Sequence, residues 1–332
     1  MPCRAKTVSH ITFTYMQDND KSVKIAKAMA ENALKKSREK KNDELAAQFE
    51  AGQLVLWPES ERGIPNELVR CALFPSRNHS TKREMYLARE PLVVPIIGGG
   101  KVIYWGEELR QDDETVWMQL VHMSKEGREE WVSFTPHSFI QAVGWAVKKD
   151  SYERLHASLR RLSGGGIEVF SQRFNLGQKT QLIRTYQYSQ GELTPWRVKV
   201  FDREDGLLFL FDKLYSRLDW ATRLSLPSGI ATWLHSFFAS HKEPYDHKIE
   251  TLAQGAGLKL HDPEDEKLEE PARTAKAKER MREAKKALVR GLQALKDSGF
   301  LLDFQVSRKN LVTVRRAGDS RPSLSQPILV DL

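Results

Sequence analysis

The chain has 332 residues, of which 40% are hydrophobic and 29% charged, so it is long enough for two domains of ordinary size beneath a very polar surface. Lysine and arginine together number 52 against 44 aspartates and glutamates, and the formal net charge of +8 favours polyanionic partners. Two cysteines, Cys3 and Cys71, exclude a disulfide framework and a cysteine metal cluster. The sequence has neither a signal peptide nor an apolar run near the ~20 residues that cross a bilayer. We therefore expect a soluble cytoplasmic protein without a membrane span.

Residues 1–52 read as a basic, charged N-terminal extension. Lysines recur along the alanine-rich stretch at residues 21–41, which has few large apolar side chains. That composition is typical of a solvated helix or a mobile arm. Its functional interpretation is nonspecific contact with phosphate groups, and its alternative is a solvated tail.

Residues 53–60 contain a candidate partner-binding peptide. The order of side chains resembles the short peptides that dock into bacterial sliding clamps, with Leu56 and Trp57 filling an apolar groove and Gln53 bonding at its rim. Leu54 is the remaining apolar member of this candidate site. The alternative is a strand or linker that packs on the body of the protein.

Residues 61–205 are predicted to form a first domain. Within it, Val132–Phe170 reads as a strand, a helix, a tight turn, a second helix and a return strand. The second helix has apolar residues at helical spacing from Tyr152 to Leu162, and it carries arginines on its other face. A hairpin of Thr180–Tyr188 and Trp196–Phe201 follows. Two short helices and a hairpin indicate a winged helix-turn-helix, and the alternative is an ordinary helical hairpin in an α+β domain.

Residues 206–316 repeat this plan as a second domain, and residues 317–332 are predicted to be a flexible tail. The chain is therefore assigned to the α+β class, with two tandem winged-helix domains. The predicted elements of the second domain are the strand-like run Leu207–Phe211, a helix at Pro227–Ser240, a short helix at Lys248–Ala256, an acidic loop at Glu264–Glu270, a long helix at Arg273–Asp297, and a hairpin of Phe300–Val306 with Leu311–Val314.

Basic side chains on the second helix and the hairpin of each domain are the predicted DNA-binding residues. Arginine reads guanine edges with two hydrogen bonds, whereas lysine mainly neutralises phosphate. The alternative for each is a solvated helix face. The predicted residues are Lys149, Arg154, Arg160, Arg161 and Lys199 in the first domain, and Lys276, Arg280, Arg282, Lys285, Lys286, Arg290, Arg308 and Lys309 in the second.

Catalytic and metal-binding motifs are missing from the sequence. His235, His241 and His247 are evenly spaced, but no HExxH, CxxC or Walker-type loop accompanies them. The glycine triplet at residues 98–100 lies between two predicted strands and reads as a hairpin turn. We predict binding without catalysis, no metal and no cofactor.

Four separated blocks resemble the TrfA-type replication initiators of broad-host-range plasmids. They are Arg62–Asn78, Tyr104–Leu120, Phe134-Thr135 with Gly144-Trp145, and Leu234–Tyr245. The resemblance implies two winged-helix domains that bind direct DNA repeats (iterons) and promote opening of an adjacent AT-rich segment, with contact to the single-stranded DNA as a further expectation. It also implies recruitment of the host initiator, the replicative helicase and the sliding clamp, and a homodimer in equilibrium with monomer. The first domain would share in dimerisation.

Two features depart from the family pattern. The clamp-binding element of the family typically ends in Leu-Phe, whereas here the aromatic residue is Trp57 and Pro58 follows at once. The acidic insert at residues 262–270 is longer than expected. It leaves undetermined the residue at which the second DNA-reading (recognition) helix begins.

Two other functions are consistent with the same residues. A winged helix alone does not specify an outcome, so a transcriptional repressor or autoregulator is the main alternative. A protein-interaction module with basic helices that bind acidic partners is the second. The initiator function places the protein in the bacterial cytoplasm, in association with plasmid DNA.

Overall fold

The computed structural model describes residues 57–78, 81–125, 131–172, 176–189, 194–201, 206–211 and 215–316. In these residues the chain is a mixed α+β protein in which helices pack beside antiparallel sheets, which confirms the predicted fold class. The N-terminal extension, residues 53–56 of the candidate clamp peptide and the C-terminal tail lie outside the described residues.

Eight α-helices and two 3-10 turns occur in the part of the chain that the structure describes. The helices are α1 (Asn66–Val69), α2 (Gln111–Met123), α3 (Pro136–Ala142), α4 (Lys149–Gly164), α5 (Trp220–Ser225), α6 (Ile230–Ala239), α7 (Ile249–Gly255) and α8 (Glu270–Asp297), and the 3-10 turns are Gly206–Phe211 and Pro263–Lys267. Helix α8 ends before Gly299, whose φ of +79° is the left-handed conformation that glycine adopts most readily.

Thirteen strands form four antiparallel sheets within the described residues. The strands are β1 (Glu61–Pro65), β2 (Met85–Tyr86), β3 (Leu92–Pro95), β4 (Gly100–Glu107), β5 (Val132–Phe134), β6 (Gly166–Ser171), β7 (Leu176–Thr180), β8 (Thr185–Gln187), β9 (Trp196–Lys199), β10 (Tyr215–Asp219), β11 (His247–Lys248), β12 (Leu301–Val306) and β13 (Leu311–Arg316). In the five-stranded sheet, β4 pairs with β2, β3 and β6, and β7 continues the sheet from β6. The other sheets have the orders β5–β9–β8, β11–β13–β12 and β1–β10.

The same order of elements occurs in both halves of the chain. A helix, a short strand, two helices and a hairpin follow one another as α2, β5, α3, α4 and β8–β9, and again as α6, β11, α7, α8 and β12–β13. In each half the short strand pairs with the second strand of the hairpin. The structure thus confirms the predicted sequence of two helices followed by a hairpin in each half.

Strand β6 is the predicted return strand of the first helix-turn-helix unit, and β5 is the strand predicted to begin that unit. The two strands belong to different sheets. Strand β6 pairs with β4, so that Val169 lies opposite Val102 and Ile167 opposite Tyr104. All four side chains are buried, so the pairing of β4 with β6 forms part of the first core. Strands β6 and β7 are therefore an insertion between α4 and its hairpin.

The run at Leu207–Phe211 is a 3-10 turn, and the expectation of a strand there is wrong. Its buried side chains are Leu207, Leu210 and Phe211, which recur at helical spacing and not at the alternation of a strand. A strand and a 3-10 turn are distinguished in a sequence by the spacing of polar residues. An unbroken apolar run has no polar residues, so its sequence alone does not tell the two apart.

Buried side chains form two hydrophobic clusters. The first extends from Trp57 to Trp220 and the second from Leu226 to Val314. The boundary predicted at residue 206 falls inside the first cluster, because β10 pairs along its whole length with β1. The division between the cores lies between Trp220 and Leu226.

Candidate nucleic-acid interface

Helix α8 carries six of the thirteen predicted DNA-binding side chains, more than any other element. Alanine, lysine, glutamate and arginine dominate its sequence, and these residues have high helix propensity. Its C-terminal half packs on the second core through Ala284, Leu288, Leu292 and Leu295, which recur every three or four residues. Its first ten residues, 270–279, are all exposed and span about 15 Å at 1.5 Å per residue. One end of α8 is thus anchored while the other stands in solvent.

Three of the predicted residues on α8 are accessible from solvent and are not paired with the acidic insert. The side chain of Arg282 is 63% exposed, Lys286 is partly exposed, and Arg290 is exposed. Arg282 and Lys286 flank the Glu283 carboxylate at 3.6 and 3.4 Å. Surface pairs of this kind contribute at most about 1 kcal/mol, so they leave both cations available to a polyanion.

Two other cations on α8 are held by the acidic insert. Arg280 donates from both terminal guanidinium nitrogens to the two carboxylate oxygens of Asp265, and Lys276 Nζ lies 3.7 Å from the same carboxylate. Asp265 is only 4% exposed. The structure therefore brings Lys276 and Arg280 together around one buried acid.

The turn of the second hairpin lies beside α8. Arg308 and Lys309 are exposed in the turn between β12 and β13. Next to them, Asn310 has a left-handed φ of +58°, which asparagine tolerates, and its Oδ1 accepts a hydrogen bond of 3.3 Å from Lys285 Nζ. Predicted residues of the helix and of the hairpin are thus neighbours in space.

On helix α4 the structure separates two adjacent arginines. Arg160 has a 64% exposed side chain and lies 3.1 Å from Glu107, whereas Arg161 is 6% exposed. Arg161 donates from Nε and Nη2 to Asp113 Oδ1 at 3.1 and 2.8 Å. Reaching DNA would break this buried ion pair. The structure gives Arg161 an internal role in place of the DNA contact predicted for it.

The remaining predicted DNA-binding residues of the first half differ in how far their side chains are exposed to solvent. Lys149 is exposed and lies 3.8 Å from Glu153. Arg154 stacks its guanidinium carbon 3.9 Å from the centroid of the Trp145 ring, and its Nε donates to Asp112 at 3.3 Å. Lys199 lies half-buried on β9.

Two consecutive aspartates on α2 hold these arginines. Arg83 bridges them, donating to Asp113 Oδ2 at 2.8 Å and to Asp112 at 3.1 Å. Burial raises the pKa of Asp113, and the neighbouring charge of Asp112 raises it further. Burial also acts on Asp112, but Arg83 and Arg154 outweigh it and lower the pKa of that carboxyl. This network orients α4 on α2, and sequence reasoning missed it because its members are far apart along the chain.

Trp57 is part of the first core and not an exposed anchor of a clamp-binding peptide. It is 2% exposed and stacks on Phe211 with ring centroids 6.1 Å apart. Its Nε1 donates to His122 Nδ1 at 2.9 Å, which leaves His122 Nε2–H to donate to Glu59. Of the predicted partner-binding residues, Gln53, Leu54 and Leu56 lie outside the described residues. The prediction that Trp57 fills a groove on a partner is therefore corrected.

A groove of about 550 Å³ runs along α8 on the side that faces the acidic insert. Lys259, Lys276, Arg280 and Arg290 line it, together with Glu279. Lys259 was not predicted, because it lies outside the helices that supplied the predicted residues, although its charge and its position before an acidic insert were visible. The groove mixes both signs of charge.

Across residues 57–316, apart from the undescribed gaps, no group of three or more histidine, cysteine, aspartate or glutamate side chains could hold a metal ion. In the same residues, none of the helices combines the length and apolar character needed to span a bilayer.

Comparisons with known proteins identify relatives over most of the chain. A family model described as TrfA protein matches residues 14–322. A curated relative, the plasmid replication initiator protein TrfA of Escherichia coli, is 30% identical over 199 residues, which cover 59% of this chain and 51% of the relative. The matched part thus spans about half the length of that relative.

Two solved structures resemble the chain at low sequence identity. Domains 2 and 3 of RctB give a TM-score of 0.46 at 11% identity, covering 76% of this chain and 96% of that chain. The Pi initiator protein, solved in complex with iteron DNA, gives a TM-score of 0.46 at 10% identity, covering 79% of this chain and all of the other.

Proposed function

The chain belongs to the TrfA family, and on that premise we propose that it initiates plasmid replication by binding double-stranded origin DNA in a sequence-specific manner. The target would be direct repeats, or iterons. The 30% identity with the plasmid replication initiator protein TrfA of Escherichia coli supports this proposal.

The repeated order of elements supports two tandem winged-helix domains. A helix, a strand, two helices and a hairpin form the winged helix-turn-helix plan, in which the second helix of the pair enters the major groove. Helices α4 and α8 occupy that place in the two halves. The proposed DNA-binding domains comprise residues 61 to about 220 and about 226–316, with the division moved to the gap between the two cores.

The observation that carries the proposal is the solvent-exposed half of α8. Residues 270–279 are each exposed, and the accessible cations Arg282, Lys286 and Arg290 follow on the same helix. An α-helix, measured with its side chains, is about 10–12 Å in diameter, which matches the ~12 Å width of the major groove. Arg308 and Lys309 would contact adjacent phosphates from the hairpin turn.

The first half would contribute fewer direct contacts. Lys149 and Arg160 are its exposed predicted residues, and Arg154 could reach DNA only from its stacked position on Trp145. Lys199 on β9 would approach the backbone from the first hairpin. We propose that α8 makes most of the contacts with the repeat and that the first half also serves dimerisation.

The later steps of initiation follow as part of the same proposal. Binding energy and DNA deformation would open a neighbouring AT-rich segment, whose single strand the protein would then contact. The host initiator, the replicative helicase and the sliding clamp would be recruited to the opened origin. A monomer–homodimer equilibrium would limit copy number, with the protein located on plasmid DNA in the cytoplasm.

Replacing the accessible arginines of α8 tests the proposal. The variant Arg282→Ala/Arg290→Ala should bind a duplex containing the direct repeats roughly 10-fold or more weakly, because each good arginine–guanine contact discriminates by about 1–3 kcal/mol. Binding to random duplex should fall less. Fluorescence anisotropy with both duplexes at fixed salt measures the difference.

The matched control is Arg89→Ala, which removes an exposed arginine far from both candidate helices in sequence and should leave both affinities unchanged. Equal losses on repeat and random DNA would assign the two α8 arginines to phosphate contacts. A preference of the unaltered chain for an inverted promoter repeat over direct repeats would favour a transcriptional repressor.

A further inference from the structure

The exposed half of α8 lacks the packing that normally keeps a helix ordered. Residues 270–279 are exposed at every position, so no apolar face is buried there. Isolated helices shorter than about 12–15 residues are marginal in water even when their propensity is high. This segment therefore needs another source of order if it is to stand as a helix before DNA arrives.

The acidic insert supplies a small rigid element beside this segment. Residues Pro263–Lys267 form a 3-10 turn whose first amides are capped by Asp262: the Glu264 N–H donates to Asp262 Oδ1 at 3.1 Å and the Asp265 N–H to Asp262 O at 2.9 Å. The turn closes with the Leu268 N–H donating to Asp265 O at 3.0 Å. These bonds fix the backbone on both sides of Asp265.

Asp265 connects this turn to α8. Its carboxylate accepts from both terminal nitrogens of Arg280, and the second of these bonds is 3.1 Å long. Lys276 Nζ lies 3.7 Å from the same carboxylate, one helical turn before Arg280, and Asp262 lies 3.6 Å from the Arg280 guanidinium. A bidentate arginine–carboxylate pair is both strong and directional. Arg280 directly follows the exposed segment and Lys276 lies within it, so Asp265 contacts α8 at the end of the segment and inside it.

We propose that Asp265 is a positioning residue that holds the N-terminal half of α8 as a preformed helix. The DNA-reading segment then enters the groove without first having to become ordered, which raises affinity by reducing the entropy lost on binding. What the helix reads rests on the proposed function; the ordering of the helix by Asp265 does not.

A competing account gives the insert the opposite effect. Carboxylates around Lys276 and Arg280 would occupy the places of DNA phosphates, and removing them would strengthen binding. In that case the salt dependence would steepen, because more cations would become available to release counterions from DNA. The two accounts differ in the sign of the change in affinity.

The test compares Asp265→Asn with Glu264→Gln in the full chain. Both variants remove one negative charge from the same turn, but the Glu264 carboxylate accepts hydrogen bonds from the exposed Lys267 and not from a cation of α8. Hydrogen exchange of amides 274–280 should become roughly tenfold faster in D265N and stay unchanged in E264Q. Amides 284–295, which belong to the packed half of α8, report whether the second core remains folded.

Affinity for the repeat duplex should fall roughly tenfold in D265N with an unchanged salt slope, and Asp265→Glu should recover part of the loss. Unchanged exchange at 274–280, or tighter DNA binding with a steeper salt slope, would overturn the proposal. A chain that shows faster exchange in D265N but no preference for repeat DNA in its unaltered form would contradict the proposed function and leave the positioning role standing.

Discussion

Arg223 is a buried cation that joins the two halves of the molecule. Its guanidinium donates to Glu114 Oε2 on α2 at 2.8 Å and to Ser236 Oγ on α6 at 2.7 Å. Arg223 and Glu114 are each 1% exposed. Burial raises the pKa of Glu114, while the charge of Arg223 opposes that rise. Arg223 is therefore one of the buried contacts that hold the first core against the second.

Replacing Arg223 alone should be strongly destabilising. In Arg223→Met the Glu114 carboxylate stays buried without its cation, so the free energy of unfolding should fall by about 3–5 kcal/mol. Urea denaturation measures this loss, and Glu114→Gln in the same chain should restore most of it. Arg217→Met, which breaks the exposed pair with Glu61, should cost less than about 1 kcal/mol. Similar losses in R223M and R217M would contradict the bridging role.

At the scale of elements, α8 packs against α6 at a glycine. A Cβ atom at Gly291 would lie 2.8 Å from Leu234 Cδ1 and 2.9 Å from Ile230 Cγ2. Both distances are shorter than van der Waals contact. Glycine costs helix stability in a helix interior, so its presence here is explained by the close approach of the two helices.

A larger side chain at this crossing should separate the helices. We expect Gly291→Leu to lower the free energy of unfolding by roughly 1–3 kcal/mol through overpacking, despite the better helix propensity of leucine. Thermal and urea unfolding measure the change. Ala277→Leu is the control, since Ala277 is exposed on the same helix and its replacement should stay within about 0.5 kcal/mol. A stabilised G291L variant would show that the contact is not tight in solution.

At the scale of the whole molecule, three histidines of the second half affect how stability depends on pH. Burial lowers the pKa of His235 to about 3 and those of His241 and His247 to about 4, from an ordinary value near 6.5. The neutral forms are thus favoured in the folded state. The stabilisation that these histidines provide is fully present above pH ~6.5, the pKa in the unfolded chain. It is lost as the pH falls towards their pKa values in the folded protein.

The free energy of unfolding should therefore decline as pH drops from about 6.5 to 4.5. Each such histidine contributes a slope of up to about 1.4 kcal/mol per pH unit, so the decline should be shallower by that amount in His235→Gln. Urea titrations at several pH values compare the slopes. An identical slope in H235Q and the parent chain would refute the assignment.

Local chemistry accounts for the features that were predicted correctly. Three such features depend only on neighbours within a few residues. They are the 3.6-residue period of α8, the glycine turn between β3 and β4, and the turn Arg308-Lys309-Asn310 between two strand-like runs. The helix–helix–hairpin order of both halves follows from the same local signals. The exposed cations at Arg282 and Arg290 could be predicted because they lie opposite the apolar stripe of the helix.

The sequence by itself thus determined the α+β class, the helix–helix–hairpin order of both halves and which helix is the most basic. Only the tertiary structure decided that Arg160 is exposed while Arg161 is buried against Asp113, that Trp57 lies in the core, and that Asp265 holds Arg280. The physical reason is that burial and ion pairing depend on which distant segments meet. Helical periodicity is set by adjacent residues, but the availability of a charge to a partner is set by the acid that packing places beside it.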